Sequence, residues 1–211
     1  MEANACPLCG AQQAALAYQI RDWEHGLGGL FSLLRCDECG ALYLLPRPTA
    51  DEIACFYPAD YAAYKREALQ EGSWLSRRLR VYGLEKRCRA VARLAKGGRL
   101  LDVGCATGDF IALMRRYGNW DVVGVELDVR AASLARERYG LEVLNSSVDA
   151  LEMPPASFDV ITLWDVLEHL PDPRLSLRRM AAWIRPGGHL VIRTPDAGSL
   201  YARVWGPYWA G

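Results

Sequence analysis

The chain of 211 residues carries 25 Lys and Arg against 25 Asp and Glu, for a formal net charge of zero. That balance excludes a general electrostatic attraction to nucleic acid or to an anionic membrane surface and leaves only local patches to consider. With 51% apolar and 24% charged residues, it has the composition of a globular protein, long enough for one full domain and a small second one.

No uncharged apolar run approaches the ~18 residues of a membrane span. The start, Met1 to Cys6, lacks the basic opening and apolar stretch of a secretory signal, so the expected compartment is the cytoplasm. Seven cysteines, four of them in two Cys-x-x-Cys pairs, then read as metal ligands plus buried thiols and not as a disulfide framework.

The first element, residues 1–48, is built on those pairs. Cys6-Pro7-Leu8-Cys9-Gly10 and Cys36-Asp37-Glu38-Cys39-Gly40 repeat one pattern: two thiols on a tight turn, closed by a glycine. Together Cys6, Cys9, Cys36 and Cys39 supply the four soft ligands of a tetrahedral zinc site. All four positions would be filled by protein, so the metal is structural, and in so small an element it supplies much of the folding energy. The segment between the pairs suits the hairpin of a zinc ribbon, with a strand from Phe31 to Arg35. His25 lies between the knuckles and reads as a loop or surface residue.

Residues 49–97 read as a linker and a helical segment. Thr49 with Glu52 can cap a short helix, and Tyr57, Tyr61 and Tyr64 are expected to serve packing, the alternative being a pocket for a sugar or aromatic substrate. Ser73 to Lys96 reads as one long helix, with Leu75, Leu79, Tyr82, Cys88 (or Leu84), Val91 and Leu94 at helical spacing. Its other face carries Arg77, Arg78, Arg80, Lys86, Arg87, Arg89 and Arg93. Such a run is by default a solvated face; the alternative is contact with the phosphates of RNA or of a nucleotide.

From residue 98 the pattern alternates. Strands are expected at Arg99–Val103, Val122–Glu126, Leu141–Leu144, Phe158–Trp164 and Gly188–Arg193. Helices are expected at Phe110–Tyr117 and from an Asp128 cap to Tyr139. This predicts a parallel sheet covered on both faces, with ligands bound beyond the strands' C-terminal ends. At that edge stand Asp102 and the turn Gly104-Cys105-Ala106-Thr107-Gly108 after the first strand. Glu126 ends the second strand, where a carboxylate can accept ribose hydroxyls, and Asp149 follows the third, placed for an adenine amine. A dinucleotide turn would read G-x-G-x-x-G and receive a pyrophosphate, which Asp102 would repel. A carboxylate there suits a ligand with an ammonium and a sulfonium, which is S-adenosylmethionine.

Residues 98–196 resemble a class I S-adenosylmethionine-dependent methyltransferase. The resemblance rests on Leu101-Asp102-Val103-Gly104-Cys105-Ala106-Thr107-Gly108, Gly124-Val125-Glu126, Phe158-Asp159-Val160-Ile161, Leu167-Glu168-His169-Leu170-Pro171-Asp172-Pro173 and Arg185-Pro186-Gly187-Gly188. It implies that Asp102 with Gly104, Cys105, Ala106 and Gly108 holds the methionine part. It likewise implies that Glu126 and Leu127 hold the ribose end and Val148 and Asp149 the adenine, while Trp164 and Asp165 close near the sulfonium. The fold implied is an α/β, Rossmann-like, mostly parallel sheet occupying residues 98–211, beside a small zinc ribbon.

Two departures stand out. Ala106 takes the place of the usual middle glycine. The family's sheet has seven strands, but only five are legible here, and the segment after Pro195 is too short for the final antiparallel pair. The chain is therefore expected to be truncated, with the fifth strand at an exposed edge. Glu168 and His169, just past the fourth strand, are the candidate catalytic residues; His189 reads as structural. The pairing of ribbon and methyltransferase resembles sugar C-methyltransferases and small-molecule methyltransferases, with methyl transfer to a small-molecule or nucleotide-sugar-type acceptor as the implied function. An RNA methyltransferase and a non-catalytic cofactor-binding protein are the alternatives.

Overall fold

The computed structural model describes residues 5–21, 30–46 and 73–208. The helix expected after Thr49, the tyrosines at 57, 61 and 64, and His25 lie outside the described residues. The chain divides into two units. One comprises Met1–Pro58 with Glu168–Arg174 and Thr194–Gly211, the other Ala59–Leu167 with Leu175–Arg193.

In the first unit, β1 (Ala14–Ile20), β2 (Phe31–Cys36) and β3 (Leu42–Leu45) form an antiparallel three-stranded sheet in the order β1-β2-β3. The two cysteine knuckles are near copies. Gly10 donates its N–H to the Cys6 carbonyl at 2.9 Å, and Gly40 donates to Cys36 at 3.0 Å. Both glycines sit at positive φ (84° and 74°), where a side chain would strain the turn. Among the described residues, the buried core here consists of Cys6, Ala11, Cys36 and Tyr43.

The second unit opens with α1 (Trp74–Leu94), capped by Ser73, whose hydroxyl accepts from the Ser76 N–H at 3.3 Å. Then follow β4 (Gly97–Val103), α2 (Asp109–Met114), β5 (Asn119–Glu126), α3 (Val129–Tyr139), β6 (Glu142–Asn145), β7 (Phe158–Trp164), α4 (Pro173–Trp183) and β8 (Ile184–Arg193). The strands form one parallel sheet in the order β6-β5-β4-β7-β8. The chain thus builds outward from β4 on one side and then crosses back to continue with β7 on the other. The ends of β4 and β7 flank the switch point, where open parallel sheets leave a crevice.

Strand alternation fixes the core. Leu100 pairs in register with Val122 and with Val160, and all three face the layer formed by Cys88 and Val91 of α1, Phe110, Ile111 and Met114 of α2, and Ala132 and Ala135 of α3. The next residues along, Leu101, Val123 and Ile161, point to the opposite face and are equally buried. Burial on both faces is the reason these strands read as continuous apolar runs. On α4, Ser176, Met180 and Trp183 are buried at spacings that share one helical face.

Three expectations shift. The apolar face of α1 is buried only in part: Cys88 and Val91 are fully covered, whereas Leu75, Leu79, Tyr82 and Leu94 are exposed. The helix shares its core with the sheet and clusters with that unit. Helix α2 ends at Met114, short of Tyr117, since Arg116 and Tyr117 donate to Leu113 and Met114 and tighten the chain into i→i+3 turns. Strand β8 begins at Ile184, because the Arg185-Pro186-Gly187-Gly188 turn is absorbed as an irregularity in its pairing with β7. Among the described residues, nothing pairs with the outer side of β8, whose residues are half-buried or exposed.

Beyond β8, α5 (Leu200–Trp205) is capped by the Ser199 hydroxyl, which accepts from Ala202 at 3.1 Å, and runs into a 3-10 turn at Gly206–Tyr208. This segment clusters with the ribbon unit.

Candidate active site and metal centre

The four expected metal ligands converge. The sulfurs of Cys6, Cys9, Cys36 and Cys39 lie within 4.8 Å of one another, with Cys6–Cys39 at 3.6 Å and Cys9–Cys36 at 3.5 Å. Sulfurs at the corners of a tetrahedron with Zn–S bonds of about 2.3 Å stand about 3.8 Å apart, so the donor set fits a zinc ion. The Cys39 N–H, 3.5 Å from Cys36 Sγ, holds that thiol down at about 7 against the opposing effect of burial. This favours the thiolate at Cys36, whereas the Cys9 and Cys39 thiols are pushed up.

The sheet edge is organised around Glu126, the last residue of β5 and only 6% exposed. One carboxylate oxygen accepts from the Ala106 N–H at 2.8 Å and the other from the Asp128 N–H at 2.9 Å. Burial raises its pKa, while those N–H groups work the other way. Glu126 therefore ties the turn after β4 to the turn after β5, and each oxygen retains a lone pair for a further donor. Asn145, at the end of β6, adds a brace by donating to the carbonyls of Glu126 and Leu127, both at 2.9 Å. Leu127 itself is exposed.

The turn from Gly104 to Gly108 is tight. Gly104 lies at φ 71°, and a Cβ there would stand 2.5 Å from Val166 Cγ2. Ala106 adopts φ 47°, a left-handed backbone that glycine accepts more readily than alanine. The Cys105 thiol is buried, and desolvation pushes its pKa upward.

Asp102 is turned into the sheet. It is 2% exposed, pairs in register with Thr162, and accepts from the Thr162 hydroxyl at 2.6 Å. Desolvation raises its pKa from 3.8 to about 7, against the lowering effects of that hydrogen bond and of Arg87. The expected attraction to a cationic ligand would thus act through covering atoms and not by direct contact.

At the end of β7, Asp165 holds a positive φ of 58°. It is fixed by its N–H to the Arg193 carbonyl at 2.8 Å and by a two-pronged ion pair with the Arg193 guanidinium, one arm of which is 2.8 Å. A non-glycine residue held in this region stores strain, and such strain clusters at functional sites. Trp164 stacks edge-on against Phe110, with ring centroids 5.2 Å apart. Arg87 of α1 lies over the other part of this cluster, 5.3 Å from the Trp164 ring and 3.7 Å from an Asp165 oxygen.

Past β6, Val148 is buried, and Asp149 sits in a 3-10 turn with one oxygen accepting from Ser176 Oγ at 2.5 Å. Glu168 and His169 occupy the 3-10 turn Leu167–His169 and are exposed; Glu168 accepts from the Thr194 hydroxyl at 3.2 Å. Asp102, the Gly104–Gly108 turn, Glu126, Asp149, Trp164 and Asp165 all lie at the C-terminal ends of β4 to β7, as expected. Sequence reasoning missed Thr162, Ser176, Asn145 and Arg87. For Arg87 a signal was present: Leu84, Arg87 and Val91 are spaced three and four apart, on one helical face.

A parallel sheet in this order, with a glycine turn pinned by an acidic strand end, defines the Rossmann-like class I methyltransferase fold. The family model described as a methyltransferase domain matches residues 73–211, and the chain belongs to that family. A ubiquinone biosynthesis O-methyltransferase of Xanthomonas euvesicatoria pv. vesicatoria is 37% identical over 114 residues, covering 49% of this chain and 47% of that protein. Its namesake in Aliivibrio fischeri is 35% identical over 104 residues, covering 46% and 44%. The chain thus spans about half the length of the curated relatives it matches. Among solved structures, coclaurine N-methyltransferase bound to N-methylheliamine and SAH aligns with a TM-score of 0.50 at 25% identity, over 58% of this chain and 38% of that one. The PH0226 protein of Pyrococcus horikoshii OT3 shares the fold, with a TM-score of 0.56 at 22% identity over 70% and 71%. Among the described residues, no helix is long and apolar enough to cross a membrane.

Proposed function

We propose that this protein binds S-adenosylmethionine along the C-terminal edge of its parallel sheet and directs the methyl group to a small-molecule acceptor. The observation that carries the reading is the Glu126 carboxylate, which joins the Gly104–Gly108 turn to the end of β5 while keeping acceptor capacity on both oxygens. On this reading Glu126 takes the ribose hydroxyls, with Leu127 beside it. Val148 and Asp149 take the adenine, and Ser176 orients the Asp149 carboxylate through its 2.5 Å hydrogen bond. The backbone of Gly104, Cys105, Ala106 and Gly108 lines the amino-acid end. Asp102 sets a negative potential beneath it, and Trp164 and Asp165 border the reacting centre. When bound, the cofactor supplies an electrophilic methyl on a sulfonium. The protein's own part is then chiefly to position the acceptor and to receive its proton, a role we assign to His169 with Glu168 beside it.

The O-methyltransferase names of the relatives favour an oxygen acceptor on a small molecule, and a net charge of zero disfavours bulk RNA. The ribbon, residues 1–48, is read as a separate element held by one structural zinc, and the methyltransferase unit as starting with α1. A radiolabelled methyl-transfer assay tests the proposal with a panel of hydroxylated aromatics, nucleotide sugars and RNA. Label in a small molecule is the expected result. Label in RNA alone, with none in small molecules, would overturn the assignment.

A further inference from the structure

The ribbon sheet has two unlike faces. Residues directly opposite each other on antiparallel strands share a face. The register sets Leu34 against Tyr43 on one face, and Tyr18 against Leu33 and Arg35 against Leu42 on the other. Leu34 and Tyr43 pack into the cysteine core. On the opposite face Tyr18, Arg35 and Leu42 line a cavity of about 150 Å³, closed by the loop before α5 and by Ala202, Arg203 and Gly206. Every one of these residues belongs to the ribbon unit.

The cavity is cationic. Arg35 enters it from β2 and Arg203 from α5. Among the described residues neither guanidinium pairs with a carboxylate. Arg35 makes one long hydrogen bond, 3.4 Å, to the Gly40 carbonyl. Asp196, in the loop before α5, is turned to its own backbone and accepts from the Gly198 N–H at 2.8 Å. Two cations lining one small space repel each other until an anion joins them. A carboxylate would offset one of them. A phosphate group, with a charge of about −1.5 to −2 at neutral pH, offsets both, and guanidinium forks match its oxygens. The Tyr18 hydroxyl can donate to a further oxygen. The space is similar to that of a cavity that holds benzene, enough for a phosphate on a small organic body.

We propose that this cavity binds a small phosphomonoester, its phosphate held between Arg35 and Arg203. The site uses none of the residues assigned to S-adenosylmethionine and stands apart from that reading.

Glycerol 3-phosphate, glycerol and glycerate are titrated calorimetrically at fixed ionic strength into the zinc-loaded wild-type chain, R35M, R203M and R116M. Arg116 lies exposed just beyond α2, with no carboxylate partner among the described residues, and controls for general charge. The wild type should bind glycerol 3-phosphate saturably, about tenfold or more tightly than glycerate, and glycerol not at all. R35M and R203M should each weaken phosphate binding by about tenfold, as for loss of a charged hydrogen bond, and R116M should match the wild type. A second measurement needs no variant to fold: in the wild type, glycerol 3-phosphate should slow phenylglyoxal modification of Arg35 and Arg203 and leave Arg116 unprotected. Absence of saturable binding, glycerate held as tightly as the phosphate, an R116M loss equal to those of R35M and R203M, or no protection of the two arginines would overturn the inference.

Discussion

Asp102 shows how a single carboxylate can be shaped by its place in a sheet. It is enclosed on β4, bonded to Thr162, and its pKa is raised from 3.8 to about 7, chiefly by desolvation. An acid whose folded pKa is raised favours the folded state most fully below its unfolded value, and that contribution is lost as pH climbs from about 4 through about 7. Asp102→Asn removes the ionisation. Its stability relative to wild type should therefore improve between pH 5 and pH 8, as read from urea unfolding at both; a difference independent of pH would contradict the burial argument. His169 raises a different question at the same scale. If it receives the acceptor's proton, His169→Gln should lower kcat by roughly 10²- to 10⁴-fold with little change in cofactor affinity. An unchanged kcat would remove it from the mechanism.

Single elements carry their own tests. The turn after β4 places alanine at φ 47°, where a left-handed L-residue costs roughly 1–2 kcal/mol. Ala106→Gly should stabilise the chain by about 1 kcal/mol, measured as a shift of the denaturation midpoint; a loss of stability would show that the methyl group packs favourably. The ribbon depends on its knuckles, since two of their cysteines, Cys6 and Cys36, belong to the buried core of its described residues. Purified protein should carry one zinc per chain, and Cys36→Ala should abolish it, as checked by elemental analysis. Metal-free wild-type protein would contradict the structural-zinc reading. Both elements were readable from sequence because their chemistry is local: paired thiols closed by a glycine, and a strand ending in a glycine turn. Strands β4 to β8 were legible for a related reason, as fully buried parallel strands leave apolar runs. Arg87, Thr162 and Ser176 were not, because their roles come from neighbours far away in the chain. Thr162 meets Asp102 only through strand pairing, and Ser176 meets Asp149 only once α4 has docked. Arg87 was hidden by six other basic residues on the same helix.

At the scale of the whole molecule, the sheet order converts separate motifs into one linear site. Acidic residues at the ends of β4 and β5, and just beyond β6, face a common edge, and the switch point between β4 and β7 opens beside them. That arrangement suits adenosine bearing an amino acid and disfavours a dinucleotide, whose pyrophosphate would lie above the buried Asp102. The most direct measurement is calorimetric titration of S-adenosylhomocysteine and of NAD into the 211-residue chain and its Glu126→Ala variant. The account predicts binding of S-adenosylhomocysteine, none of NAD, and a loss of about 1–3 kcal/mol in the variant, the scale of hydrogen bonds to a charged acceptor. Binding of NAD in preference to S-adenosylhomocysteine, or an affinity untouched by loss of the Glu126 carboxylate, would contradict it.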